Sequence, residues 1–196
     1  VINVEDKAIG IYKKGGTVEL GGKVNVDSHT APELNSEPVG LYGTGGIKVT
    51  DTTSSFNVGD KSYGVILSAP GTGVNTYSNS ASSNISLGRD STFIFAEGAS
   101  KVHNNASINS GTNGGIIAIY GKDGAKITNS GIIDLSQGIG NQGILVTGAD
   151  SSAENMATGV IKVGEADKSD PNNIIYGIGM AAINGASIVN NGNIYI

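Results

Sequence analysis

"NSGIIDLSQGIGNQGILVTGA", residues 129–149, holds two short runs of alternating character, IIDL and GILV, separated by a spacer of Gly, Ser, Asn and Gln. Side chains of a strand alternate between its faces, so Ile133 and Leu135 share one face and Asp134 takes the other. The pattern recurs along the whole chain. Written one under another, GGKVNV, TSSFNV, SSNISL, NASINS, SGIIDL, TGVIKV and NGNIYI put Val24, Phe56, Ile85, Ile108, Ile133, Ile161 and Ile194 in one column. Two residues later stand Val26, Val58, Leu87, Ser110, Leu135, Val163 and Ile196, all apolar except Ser110. Between the two columns lie Asn25, Asn57, Ser86, Asn109, Asp134, Lys162 and Tyr195, polar except the last. Gly22, Ser54, Ser83, Ala106, Gly131, Gly159 and Gly192 precede the first column by two residues, and a small residue at the same place in every copy marks a corner. Successive copies are about 28 residues apart, a spacing typical of solenoids and other repeat arrays.

A second strand follows the same beat. Aligned on the glycine of IGIYKKGG, VGLYGTGG and related phrases, its apolar position is filled by Ile11, Leu41, Val65, Ile94, Ile119, Ile144 and Ile178. The next residue is Tyr12, Tyr42, Ile66, Phe95, Tyr120, Leu145 and finally Gly179. A third strand centres on Val18, Val49, Val102, Ile127 and Ile188, with poorer copies near residues 74 and 153. Three strands and three turns in about 28 residues describe one coil of a parallel β-helix, whereas a propeller blade needs four strands in roughly 40 to 45 residues. The expectation is an all-β, single-stranded parallel β-helix of about seven coils, each of three short strands. A right-handed winding is expected from the chirality of parallel crossovers. At roughly 4.8 Å per coil the rod is about 34 Å long.

Composition agrees with a narrow ladder-filled interior. Aromatic residues are 5% of the 196, there is no Trp, and Gly reaches 31. Cysteine is absent, which removes disulfide frameworks, thiolate metal sites and cysteine nucleophiles. With 15% charged residues and a net charge of −5, no basic footprint for nucleic acid or an anionic membrane surface is visible. No apolar run approaches the roughly 20 residues of a membrane helix, so membrane insertion by this segment is not expected. VINVEDKAIG lacks the basic start and apolar stretch of a signal peptide. VINV looks like the end of an eighth coil and NIYI ends without a polar cap, so residues 1–196 are expected to be one continuous piece of a longer domain, flanked by adjoining coils of the same chain.

The unit read from FNVGDKSYGVIL and NSGIIDLSQGIGNQGILVTGA, with the grammar N-S-G-x-I-x-V, a spacer and G-I-Y-x-x-G-G, resembles the passenger repeats of type V autotransporter adhesins, most closely those of fusobacterial outer-membrane proteins. The likeness covers nearly the whole chain and involves no catalytic motif. It implies a β-helical stalk exported through an outer-membrane barrel, displayed extracellularly on a bacterial cell surface, and binding host-cell or bacterial surface proteins or glycans. No cofactor is implied.

GIGNQG, Gly138 to Gly143, matches G-x-G-x-x-G, but that fingerprint works only when a helix follows, and ILVTGA reads as a strand. YGTGGIKVT lacks the Gly-Lys-Ser/Thr end of a phosphate-binding loop. No G-G-x-G-x-D calcium repeats occur, and Asp167 with Asp170 reads as a solvated loop before it reads as a cation site. Sugar hydrolysis needs two carboxylates facing each other across the bond, and the outward column offers only Asp134 beside Lys162. Arg89 with Asp90, His29 and His103 have no evident catalytic partners. The expectation is a protein without catalytic or metal-binding residues.

Binding residues are instead expected in the insertions that lengthen three corners, DSHTAPELNSEP (27–38), APGTGVNTYSNSASS (69–83) and GEADKSDPNN (164–173), since solenoid insertions become lateral loops. The candidates are His29, Glu33 and Asn35, then Asn75, Tyr77 and Asn79, then Asp167, Lys168, Asp170 and Asn172. Two other features stand out. The row Tyr12, Tyr42, Ile66, Phe95, Tyr120 and Leu145 faces outward if its strand stays straight and inward if it bends; burial is the expected outcome, because contiguous exposed apolar surface is rare. Asn104, Asn129 and Asn190 form a column, broken at Ala157, that either stacks as a hydrogen-bonded amide ladder or serves turns.

Overall fold

In the computed structural model, which describes residues 1–31, 36–69, 71 and 73–196, the chain forms eighteen strands and, among the described residues, no helix. Every registered strand pairing is parallel. Strands pair with the equivalent strand one coil away, so the molecule is a β-solenoid with three sides. The first side comprises β1 (Ile2–Val4), the ends of β2 (Ile9–Val26) and β3 (Val39–Val58), then β6 (Asn84–Leu87), β9 (Ser107–Asn109), β12 (Ile132–Leu135), β15 (Val160–Val163) and β18 (Asn193–Tyr195). The second is made by the openings of β2 and β3 with β4 (Tyr63–Ser68), β7 (Thr92–Glu97), β10 (Ile117–Lys122), β13 (Gln142–Thr147) and β16 (Ile178–Ile183). The third uses the middles of β2 and β3 with β5 (Asn75–Asn79), β8 (Ser100–Asn104), β11 (Lys126–Asn129), β14 (Ser152–Asn155) and β17 (Ser187–Asn190).

The expected coil of three short strands holds for the five windings from β4 to β18. The two before them differ, because β2 and β3 each run unbroken around all three sides, over 18 and 20 residues. Register shifts between Lys14 and Gly16 and between Gly22 and Lys23 let this continuous pair turn its corners without losing its ladder.

Inside, the files are those read from the sequence. Ile2, Val24, Phe56, Ile85, Ile108, Ile133, Ile161 and Ile194 lie in register along the first side, and the five from Phe56 to Ile161 are fully buried. Each buried aliphatic side chain contributes roughly 1.5–3 kcal/mol by leaving water. The small-residue corner is enforced by close backbone approach. A Cβ on Gly131 would sit 2.2 Å from the Ala106 carbonyl oxygen, and one on Gly159 would sit 2.5 Å from the Asn129 carbonyl oxygen.

Three details correct the sequence reading. The second-side file ends on Met180, not Ile178, since Ile144 pairs with Met180 while Ile178 pairs with Gln142. The third-side file is complete, with Tyr77 between Val49 and Val102 and Ala153 between Ile127 and Ile188. The interior is also not purely aliphatic. Phe93 packs edge-on against Phe56 at 5.3 Å and against Tyr77 at 6.1 Å between ring centroids, and the Tyr77 hydroxyl donates to Oδ2 of buried Asp51 at 2.6 Å.

The asparagine column is likewise unbroken, because Asn155, two residues before Ala157, fills the gap. Asp51, Asn79, Asn104, Asn129, Asn155 and Asn190 occupy successive coils. From Asn79 onward each Nδ2 donates to the next Oδ1 at 2.8 Å. These amides therefore work as an interior ladder, and their Nδ2 groups also reach corner carbonyls such as those of Ala106 and Gly131.

Candidate functional site

On the second side each strand bends after its second residue. In β7, Phe93 and Ile94 are both buried, after which alternation resumes with Phe95 outward and Ala96 inward. The same burial pattern repeats in β10 and β13. The bend lies one residue earlier than an inward-turning row requires, so the expectation that the aromatic row is core is overturned. Tyr12, Tyr42, Ile66, Phe95, Tyr120 and Leu145 stand in register on the outer face, with Tyr12 63% exposed and the others half-buried.

Neighbours along this file touch. The rings of Tyr12 and Tyr42 stack at 5.8 Å, and Phe95 meets Tyr120 edge-to-face at 5.3 Å. Tyr63, which begins β4, leans on Phe95 at 6.5 Å. Two residues further along each strand runs a polar outer file of Lys14, Thr44, Ser68, Glu97, Lys122 and Thr147. Ser68 Oγ donates to Glu97 Oε1 at 2.7 Å, and Lys122 Nζ sits 3.9 Å from Glu97 Oε2 and 3.3 Å from Asp123 Oδ2. The hydrogen bond to Asp123, reinforced by both carboxylates, raises the Lys122 pKa.

Lys7, Ala8, Ile9, Ser36, Glu37 and Val39 complete, with the outer file, the lining of a groove of about 450 Å³ on this side. Its floor is Tyr42, Tyr63, Ile66 and Phe95; Glu37, Ser68 and Glu97 supply polar edges. Partial burial, with the Glu37 carboxylate nearby, raises the Tyr63 phenol above its ordinary value. Flat rings beside carboxylate acceptors and hydroxyl donors suit a ligand with both apolar faces and polar edges. Tyr63, Glu37, Ser68 and Glu97 were not singled out in the sequence. Tyr63 directly precedes Gly64, the aligned glycine of β4, but β7 carries Phe93 in place of that glycine and Glu37 lies ahead of β3, so no common offset marked the set.

The loop candidates fare differently. Glu33 and Asn35 lie outside the described residues. His29 is buried rather than presented to solvent, with Nδ1 2.8 Å from Asp6 Oδ1; Thr30 donates to the other Asp6 oxygen from N and Oγ1. Those hydrogen bonds, that with His29 foremost, hold Asp6 far below the usual carboxylate range.

Asn75, Tyr77 and Asn79 are not on a loop at all. They form alternate, inward-facing positions of β5. Asn75 brackets a corner, accepting from the Gly46 and Ile47 amides and donating to the Ser68 carbonyl. Asn79 accepts from the Asn105 and Ala106 amides. Polar side chains pinned by several backbone groups are structural brackets, unavailable to a ligand.

Lys168, Asp170 and Asn172 do lie exposed in the third insertion, beside half-buried Asp167, which pairs with Ile175 in an antiparallel bridge. Asp167 and Asp170 each accept from the amide two residues ahead, closing tight turns, and the bonds from Ser169 lower the Asp167 pKa. Among the described residues no group of three or more His, Cys, Asp or Glu is gathered for a metal ion.

Asp134 and Lys162 face each other on the outer first side at 3.1 Å. Burial pushes the Asp134 carboxyl up, but hydrogen bonds from Ser136 and Lys162 outweigh it and leave the pKa lowered. His103 Nδ1 lies 2.5 Å from Thr128 Oγ1, on the third side. No protein-family model matches this chain, and neither the curated proteins nor the solved structures include a match to it. Among the described residues no helix is long and apolar enough to cross a membrane.

Proposed function

We propose that this chain is a non-enzymatic binding segment of a bacterial cell-surface adhesin, a β-solenoid rod that engages a host-cell or bacterial surface glycan or receptor through its second side. The outward file of aromatic and aliphatic side chains carries this reading. An apolar stripe on the outside of a rod costs solubility unless a ligand covers it, and aromatic rings bordered by hydrogen-bonding groups are common anchors at binding surfaces. The autotransporter-like repeat grammar supports the same reading and supplies the proposed extracellular, outer-membrane-anchored location. Where the sequence pointed to lateral loops, the groove over Tyr42, Tyr63 and Phe95 is now the better-built site, since three of the loop candidates serve the wall itself.

The test is adhesion of beads coated with this chain to host cells, partner bacteria and a panel of glycans. Replacing Tyr42, Tyr63 and Phe95 together by Ser is expected to abolish the retention that the unaltered chain shows. Retention unchanged by that replacement sinks the groove as the site. No retention of the unaltered chain on any surface favours the second reading, a stalk that only spaces, which the uninterrupted interior ladders also suit.

A further inference from the structure

The third side presents a different surface, independent of the second-side groove. Its outer face carries two files separated by the inward row of Val49, Tyr77, Val102 and Ile127. One file is Thr17, Lys48, Thr76, Lys101, Lys126 and Ser152 in register; the other is Glu19, Thr50, Ser78, His103, Thr128 and Glu154. Lysines that the sequence scatters singly thus become one row. From Lys48 to Lys126 there are three coil steps, a track of roughly 14 Å along the rod.

Three observations make this row more than ordinary solvated surface. Lys48, Lys101 and Lys126 are all exposed, and no carboxylate among the described residues lies within ion-pair distance of any of them. On the other two sides, Lys162 and Lys122 each reach a carboxylate one coil away, Asp134 and Glu97, whereas Lys14 and Lys23 have none within ion-pair distance among the described residues. Here Lys101 and Lys126 are direct cross-strand neighbours, a like-charge pairing that destabilises a sheet when nothing offsets it. Lys126 Nζ donates only to the main-chain oxygen of Asp150. Finally, the carboxylates in these two files, Glu19 and Glu154, stand at the ends of the track, while its centre carries hydrogen-bonding Thr50, Thr76, Ser78, His103 and Thr128. A shallow depression of about 400 Å³ runs between the files.

From this juxtaposition we infer that the third side binds a linear anionic polysaccharide, laid along the rod axis with its sulfate or carboxylate groups on Lys48, Lys101 and Lys126 and its sugar hydroxyls on the neighbouring hydroxyl file. Charge complementarity selects a polyanion from a chain whose own net charge is −5. Apart from the His103 imidazole, the two files offer no outward aromatic ring on which a nucleic-acid base would stack, and no apolar wedge for a membrane. They do offer a straight, narrow strip of donors at one-coil intervals.

The experiment measures binding of the immobilised chain to a sulfated glycosaminoglycan and to polygalacturonate, with dextran as the uncharged comparator and duplex DNA as the competing polyanion. Binding to at least one anionic polysaccharide is expected, weakening as salt rises. Changing Lys48, Lys101 and Lys126 together to Gln is expected to weaken it about tenfold or more. Changing all three to Arg retains it, as does changing Lys13, Lys61 and Lys168 to Gln. The groove variant with Ser at 42, 63 and 95 also binds as before, so failure of the adhesin reading and failure of this one are separable. Equal binding of dextran, equal loss in the Lys13/Lys61/Lys168 variant, or tighter binding of DNA than of either anionic polysaccharide overturns the inference. Since all six lysines are solvent-exposed, unchanged circular dichroism and melting are expected throughout.

Discussion

Asn104 donates its side-chain N–H to Oδ1 of Asn129 at 2.8 Å, across one coil step and with both residues fully buried. Each inner amide of the ladder, Asn104, Asn129 and Asn155, is donor to the next and acceptor from the last, so they satisfy one another where water is excluded.

Removing an inner rung should therefore cost more than removing an end one. Asn129→Ala leaves the Asn104 donor and the Asn155 acceptor facing each other across a void, and a loss of about 2–4 kcal/mol is expected. Asn190→Ala, at an exposed position of the last coil, should cost about 1 kcal/mol or less. Urea denaturation of both variants compares them, with hydrogen exchange reporting which coils open first.

The aliphatic file makes a parallel prediction with an internal control. Ile133 is fully buried and adjoining Ile132 is 44% exposed. Ile133→Ala should destabilise by about 2–5 kcal/mol through the cavity it leaves, whereas Ile132→Ala should stay within about 0.5 kcal/mol. Similar losses from the two would contradict the facing of β12.

The Asp6 clasp on residues 29 and 30 predicts an acid-side change. Its folded pKa is lowered by the hydrogen bonds from His29 and Thr30, so its contribution is present above the unfolded carboxylate value of about 3.9 and is lost as pH falls below that towards the folded one. The protection factor of the Thr30 amide, its exchange rate relative to the unstructured rate at the same pH, should stay high at pH 5 and fall only in stronger acid. In Asp6→Asn that pH dependence should disappear.

Tyr77 predicts a change at the alkaline end. Burial, with Asp51 next to it, raises its phenol well above the ordinary value of 10.0. The linked stability is present below that value and fades as pH rises through the folded one. Phenolate absorbance should show Tyr77 silent in the folded chain, with its signal appearing only on unfolding. Tyr77→Phe, which leaves the Asp51 carboxylate without this donor, should destabilise by about 1–3 kcal/mol.

Errors in the sequence reading share a cause. YGIGM offers two Gly–apolar pairs two residues apart, and the length of the preceding insertion decides that Met180 and not Ile178 meets Ile144. Asn155 and Ala157 differ by the same step. NTYSN looks like a loop because Asn75 and Asn79 are polar, yet corner amides and the ladder give them buried partners. The groove escaped notice because Glu37, Tyr63 and Phe95 come from three different coils, and only stacking sets them side by side.

What the sequence by itself determined is the alternation along each strand, the small corners and the coil-length beat, and hence the solenoid with Ile108, Ile133 and Ile161 superposed. Alternation and small corners are local rules of strand geometry, legible from one copy, and the beat follows from setting the copies side by side. The tertiary structure alone decided which of two positions two residues apart meets the next coil, which polar groups go inside, and that the aromatic row faces out. A slip of two residues keeps every side chain on its face, and a bend of one residue reverses it, so both choices rest on contacts between coils that no single repeat contains.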